Sequence, residues 1–406
     1  MKITNDGITS PKGFKAAGEH IGIKKSKKDL AVIYSEKPAL CSAVFTKNIV
    51  KAAPLQLAIK VLGENPYISA IAVNSGNANA CTGEQGYKDA VDTSKTLAEC
   101  LGLKENEVLV SSTGVIGQLL DREKILNGVK TVCTKLSSSQ NSADDCANAI
   151  MTTDTISKQI TVETEIGGKT VKVSGIAKGS GMIHPNMATM LGFLTTDAAI
   201  TKEMLDKAFK SRIDDSFNMI TVDGETSTND TCLILANGMA ENKIIDSENE
   251  DFNKFELAVD TVVKYLAKQI VMDGEGATKF LEVKISGASS KNDAKVLCKS
   301  ILNSQLVKTA FFGKDANWGR ILSAMGASGV VFDPEKVKIS FRNEVGNIDL
   351  FENGKPYDFD ENFALKILEE REIKIDVVLQ EGGAEIVGWG CDLSYEYVKI
   401  NAEYRT

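Results

Sequence analysis

The stretch that decides how this chain is read runs from Lys178 to Ala198, KGSGMIHPNMATMLGFLTTDA. Its first half is broken by Gly179, Gly181 and Pro185; from Met190 it becomes an apolar run with no charge before Asp197. Glycine frees the backbone for a tight turn, and a proline biases the residue before it, here His184, toward an extended conformation. The pattern is a loop that switches into a β-strand, with Thr189 at the strand's opening. The glycines alone signal a turn, and a threonine opening a strand is ordinarily structural.

Outward from this point, helical and strand periods alternate. Tyr87, Val91, Ser94, Ala98 and Leu101 share one stripe over 86–101, and Phe255, Val259, Val262, Leu266 and Ile270 share another over 252–271. Thr201 can cap a third helix that buries Leu205, Ala208, Phe209 and Ile213. Strand alternation marks Leu281–Ile285, Val337–Phe341 and Ile373–Leu379, the last followed by a turn at Gly382-Gly383. Because strands in the last third follow one another closely, antiparallel hairpins are expected there. The fold class is α+β with layered sheets, not a doubly wound nucleotide fold. Ser137–Ser142 is expected to be a surface loop.

Composition excludes several functions. With 47 Lys+Arg against 55 Asp+Glu the net charge is −8, which disfavours a nucleic-acid partner. Lys24-Lys25-Ser26-Lys27-Lys28 is short and meets Asp29, so it is expected to be a solvated turn before a strand. No run approaches the ~18 apolar residues of a membrane span, and the N-terminus lacks a signal-type apolar core; a cytoplasmic protein without membrane contact is expected. The eight cysteines are far apart, with no C-x-x-C pair, and are expected to be reduced and mostly buried. No Walker A sequence is present, since Gly313-Lys314 is followed by Asp315.

Only His20 and His184 are available as imidazole bases, and there is no G-x-S-x-G elbow, so Ser-His-Asp or Cys-His chemistry has little to draw on. His184 is read as a loop histidine. Thr189 offers a different solution. If the peptide bond after Ala188 is cut, Thr189 gains an α-amino group of unperturbed pKa about 7.7–8.0, which can take the proton of its own Oγ. The cut itself would be an attack of that Oγ on the Ala188 carbonyl, an N-to-O acyl shift, and hydrolysis of the ester.

A set of ordered motifs then extends over nearly the whole chain. They are AVFTKN (43–48), VNSGNANACTGEQG (73–86), SSTGVIG (111–117), AIMTTDT (149–155), the opening stretch, DGETSTND (223–230), DGEGATK (273–279), GKDANWGR (313–320) and the terminal NAEYRT (401–406). In this order they resemble the ornithine acetyltransferases, or glutamate N-acetyltransferases, of arginine biosynthesis. The resemblance implies a layered α/β sandwich shared with a group of self-processing aminopeptidases. It also implies a precursor cut between Ala188 and Thr189 into an α chain, 1–188, and a β chain, 189–406, assembled as α2β2. Thr189 would be the nucleophile of a ping-pong transfer of acetyl from N-acetylornithine to glutamate, with acetyl-CoA as an additional donor in some members. Thr113 and Gly114 would form the oxyanion hole. Thr153, Lys178, Thr189, Glu275, Asn401 and Thr406 would bind substrate, with Lys178 suited to a carboxylate and Glu275 to an ammonium. No metal or bound organic cofactor is implied. The alternative enzyme class is a self-processing amidohydrolase or aminopeptidase with the same nucleophile and water as acceptor; the non-catalytic one is an anion-binding protein with an intact chain.

Overall fold

The computed structural model describes residues 1–184 and 190–403. Its strands are, in chain order, β1 (Lys2–Thr4), β2 (Phe14–Glu19), β3 (Leu30–Phe45), β4 (Tyr67–Asn77), β5 (Val108–Val115), β6 (Lys158–Ile166), β7 (Lys169–Lys178), β8 (Leu191–Thr196), β9 (Ile220–Thr221), β10 (Thr231–Ala236), β11 (Phe280–Ala288), β12 (Lys338–Arg342), β13 (Asn347–Glu352), β14 (Lys355–Pro356), β15 (Glu372–Val378) and β16 (Ala384–Cys391). They form two mixed sheets. The larger has the order β1-β6-β7-β8-β10-β3-β4-β5, with β2 also paired to β3; the smaller runs β14-β13-β12-β15-β11-β16-β9.

Alternation along the central strands builds the layers. On β10, Leu233 and Leu235 enter the core shared with the helices Ala53–Glu64, Gly83–Leu101, Arg122–Cys133 and Gln140–Ala149, whereas Cys232, Ile234 and Ala236 enter the core shared with Lys202–Asp214 and Glu250–Met272. The large sheet is therefore covered on both faces, and every residue of β8 and β10 is buried. This is why the run after Met190 is continuously apolar. The helix Glu250–Met272 packs on β6 and β7 and reaches β16, linking the two sheets, while the helix Lys291–Asn303 packs on β11 and β16. The result is the expected α+β layered sandwich.

Local chemistry sets the helix ends. Thr201 Oγ1 accepts the Met204 N–H at 3.4 Å and Asn249 Oδ1 the Phe252 N–H at 3.0 Å, each satisfying an orphan donor of the first turn. The stripe Phe255, Val259, Val262, Leu266 and Ile270 is fully buried as expected, each side chain contributing roughly 1.5–3 kcal/mol.

Three expectations are corrected. The 137–142 segment is less a loop than a helix start: Ser137 bridges to Ala16, and Ser139 Oγ caps the helix Gln140–Ala149 by accepting the Ser142 N–H. A run of serines satisfies polar backbone by capping as readily as by solvation. Along Gly83–Leu101 the deepest face is Ala90, Ser94, Leu97 and Ala98, with Tyr87, Val91 and Leu101 at its rim. The C-terminal sheet is not purely antiparallel, because β11 pairs parallel with β15 and β16 with β9. No helix among the described residues is long and apolar enough to cross a membrane. The cysteines are unpaired; five are buried, Cys133 is half-buried, and Cys81 and Cys100 are exposed.

Candidate active site

Lys178 closes β7 and Leu191 opens β8, and the two face each other in the antiparallel register, so the glycine-rich stretch leaves and re-enters the sheet at one place. Both described flanks are held by backbone hydrogen bonds. On the first, Asp223 accepts the N–H groups of Met182 (2.7 Å) and Ile183 (2.8 Å), and Thr226 Oγ1 donates to the His184 carbonyl at 3.0 Å. On the second, the Thr231 N–H donates to the Met190 carbonyl at 3.0 Å. Ala188, Thr189 and the terminal Thr406 lie outside the described residues.

Thr113 and Gly114 come just before Val115, the last residue of β5, beside an irregularity of β4 at Gly76 and Asn77. Gly114 has φ +132°, and a Cβ there would lie 2.3 Å from the Gly76 carbonyl carbon, so no other residue fits without moving the neighbouring strand. Asn229 Nδ2 fixes the same corner by donating to the carbonyls of Ala78 (2.6 Å) and Ser112 (2.8 Å). Lys178 Nζ donates to Thr113 Oγ1 at 3.1 Å. Since an ammonium only donates, Thr113 must use a lone pair here, and its hydroxyl proton is left free to point elsewhere.

Behind Lys178 lies a buried ionic cluster. Lys158 Nζ bridges Asp154 (2.7 Å) and Asp273 (2.6 Å), with the lysine and Asp154 side chains fully enclosed. Asp154 also accepts the N–H of Gly179 at 2.7 Å, and Asp273 accepts the N–H and hydroxyl of Thr155. Burial pushes the Asp154 carboxyl upward, but Lys158 and Lys178 outweigh it and hold the group at about 2. Burial lowers the Lys178 ammonium, with Lys158 adding to this and Asp154, Asp230 and Glu275 opposing. The cluster anchors the end of β7 and the first glycine of the loop.

Glu275 approaches from the segment after Glu250–Met272. Its Oε2 accepts Asn401 Nδ2 at 2.8 Å, its own N–H donates to the Ser180 carbonyl at 2.9 Å, and its carboxylate lies where a Cβ on Gly181 would stand. Thr113, Gly114, Thr153, Lys178, Glu275 and Asn401 all line one cleft, together with Met190, Leu191, Asn229 and Asp230. The cleft has a cavity volume of about 130 Å³ and mixes polar with apolar lining residues. His184 lies nearby but faces a different environment: burial, and then Lys299, lower its imidazole to about 4, and its Nδ1 is buried without a hydrogen-bond partner among the described residues.

Against this geometry stand the relatives. The ArgJ family model matches residues 15–406. The chain belongs to the ArgJ family. It is 52% identical over 406 residues, 100% of both chains, to a protein of Caldanaerobacter subterraneus subsp. tengcongensis named arginine biosynthesis bifunctional protein ArgJ. It is 50% identical to the protein of the same name from Bacillus subtilis, over 100% of this chain and 98% of the other. Among solved structures, an ornithine acetyltransferase from Mycobacterium tuberculosis complexed with ornithine shares 39% identity, covering 46% of this chain and 99% of that one, with a TM-score of 0.43.

The supporting residues Asp154, Lys158, Asp223, Asn229 and Asp273 were not singled out by sequence reasoning. Apart from Lys158 they sit inside the quoted motifs, so the signal was present. Charged residues are usually solvated, however, and nothing in the spacing says that Asp154 and Lys158 are buried against Asp273, more than a hundred residues away.

Proposed function

We propose that this chain is a glutamate N-acetyltransferase that takes acetyl from N-acetylornithine, with Thr189 as nucleophile after self-cleavage behind Ala188. The observation that carries the reading is the convergence in one cleft of Thr113, Gly114, Thr153, Lys178, Glu275 and Asn401, at the place where the chain leaves and re-enters the sheet around residue 189. The names of the curated relatives and the ornithine-bound relative support the substrate class.

In this mechanism the α-amine of Thr189 takes the proton of its own Oγ, which attacks the acetyl carbonyl of N-acetylornithine. The tetrahedral oxyanion receives the Thr113 hydroxyl and the Gly114 N–H, with Lys178 polarising Thr113 from behind. Ornithine leaves, an acetyl-threonine ester remains, and the amine of glutamate discharges it. Glu275 is placed to meet a substrate ammonium, with Asn401 fixing the carboxylate. Thr406 adds to the substrate site from the chain's end, and the two fragments, 1–188 and 189–406, remain associated as α2β2 in the cytoplasm. No metal or organic cofactor takes part. Acetyl-CoA is the second donor in this reading, and the word bifunctional in the relatives' names supports a second activity.

The test is a pre-steady-state experiment on purified protein. N-terminal sequencing should give a second chain starting at Thr189. N-acetylornithine alone should release up to about one ornithine per site and leave that chain heavier by one acetyl group, and glutamate should remove it. No cut at 188, or no mass shift, overturns the nucleophile. Steady release of free acetate points instead to the hydrolase.

A further inference from the structure

Each of the other carboxylates around the cleft is already engaged. Asp154 and Asp273 hold Lys158, and Glu275 Oε2 holds Asn401. Asp230 differs. It lines the cleft, is only 2% exposed, and its Oδ2 is buried with no hydrogen-bond partner among the described residues. Hydrogen bonds from Ser227, Thr46 and the Met190 N–H act on the carboxyl as a whole, and none of them meets Oδ2. A buried acceptor left open costs about 1–3 kcal/mol, so an orphan oxygen on a residue that lines the cleft calls for a group that donates to it. Its backbone is held on both sides, by the Thr46 N–H on its carbonyl and by β10, which begins one residue later beside Leu191.

Transfer between amines moves a second proton besides the one that the nucleophile's own base handles. Donor nitrogen leaves as an ammonium and acceptor nitrogen arrives as one, so two protons move at nitrogen in each half-reaction while Oγ supplies or accepts only one. Resting on the acetyltransfer reading above, we infer that Asp230 is the group that holds the second proton, contacting through Oδ2 the amino nitrogen on which acetyl is exchanged. In the first half-reaction the amide C–N bond breaks and the C–O bond of the ester forms. The Oγ proton reaches the leaving nitrogen through the Thr189 amine, and the Asp230 carboxyl gives the second, leaving ornithine as an ammonium and Asp230 as a carboxylate. In the second, the glutamate ammonium returns one proton to Asp230. The free amine then attacks, C–N forms, C–O breaks, and the last proton returns to Oγ. The cycle closes with no net proton change.

The surroundings fit this cycling. Burial raises the Asp230 carboxyl well above the ordinary range, while Ser227, the Lys178 ammonium, Thr46 and the Met190 N–H oppose it. The Lys178 ammonium acts on Asp230, and Asp154, Lys158 and Glu275 act on Lys178 in turn.

The experiment compares two acetyl donors in single turnover with the cut enzyme and its Asp230→Asn variant. N-acetylornithine has a leaving amine that must be protonated; p-nitrophenyl acetate has a leaving group that needs no proton. Asp230→Asn should slow acetyl-enzyme formation from N-acetylornithine by ~10²–10⁴-fold and from the ester far less. Equal losses with both donors, or no loss with N-acetylornithine, overturn the assignment. If the variant does not fold or is not cut, the wild-type enzyme decides the matter in weak buffer with a pH indicator. Ornithine release should precede proton uptake from solution; a full proton per site taken up in step with release overturns the inference. Failure of the nucleophile reading looks different, since the acetyl mass shift would then be missing with either donor.

Discussion

Removing the Lys178 ammonium takes away the group that fills a lone pair of Thr113 Oγ1, and in the proposed mechanism this frees that hydroxyl to turn away from the oxyanion. A lost or misdirected oxyanion donor typically costs ~10²–10³ in rate. Lys178→Met, once shown to be cut into two chains, should therefore lose about that much in kcat, with KM for N-acetylornithine changed only a few-fold. Steady-state kinetics check this. A rise in KM at unchanged kcat would instead mean that Lys178 binds the substrate carboxylate, the role its charge alone suggests.

Between elements, the site depends on how closely β4 and β5 approach at their ends. Gly114→Ala places a methyl group against the Gly76 backbone at a φ of +132° that an L side chain rarely adopts. Such a conformation costs about 1–3 kcal/mol before any clash is counted. The variant should lose at least ~2 kcal/mol in urea unfolding as well as its activity. Thr113→Ser, which keeps a hydroxyl on Lys178, should keep most of both. The contrast separates a strand-packing requirement at 114 from a chemical one at 113.

Across the whole molecule, the Asp154–Lys158–Asp273 cluster joins the end of β7 to the segment following the long helix, and so joins the two halves of the cleft. Breaking a buried ion pair by removing one partner costs about 3–5 kcal/mol, so Lys158→Met should destabilise by that order in urea unfolding at neutral pH. Acid should act on the same cluster. The folded-state value of Asp154 is depressed to about 2 from an ordinary 3.8, so its contribution is present above pH 3.8 and is lost as pH falls through 2; it amounts to about 2 kcal/mol. His184 is depressed to about 4 from 6.5, so it too stabilises above its ordinary value and loses that contribution as pH falls through 4. Asp230, being raised, works in the opposite sense. His184→Gln should flatten the pH dependence of the unfolding midpoint between about pH 6.5 and 4, and comparison with wild type cancels the Asp230 contribution.

What the sequence determined by itself is whatever depends on near neighbours and on period. The run from Met190 read as a strand because continuous apolar character is the signature of a buried one, and Phe255 to Ile270 read as a helix face because its period is helical. Thr201 read as a cap for the same local reason, and the ordered motifs carried the family. The tertiary structure decided everything that depends on distance in space. Lys178 meets Thr113, Glu275 meets Asn401, and Lys158 meets Asp273 across separations of 65, 126 and 115 residues. Single-residue types carry no record of such partners. A lysine or an aspartate in a sequence is by default a solvated charge, and only the packing of two sheets and their helices, by excluding water, turns Lys178, Asp154 and Asp230 into groups whose protons and hydrogen bonds have one place to go.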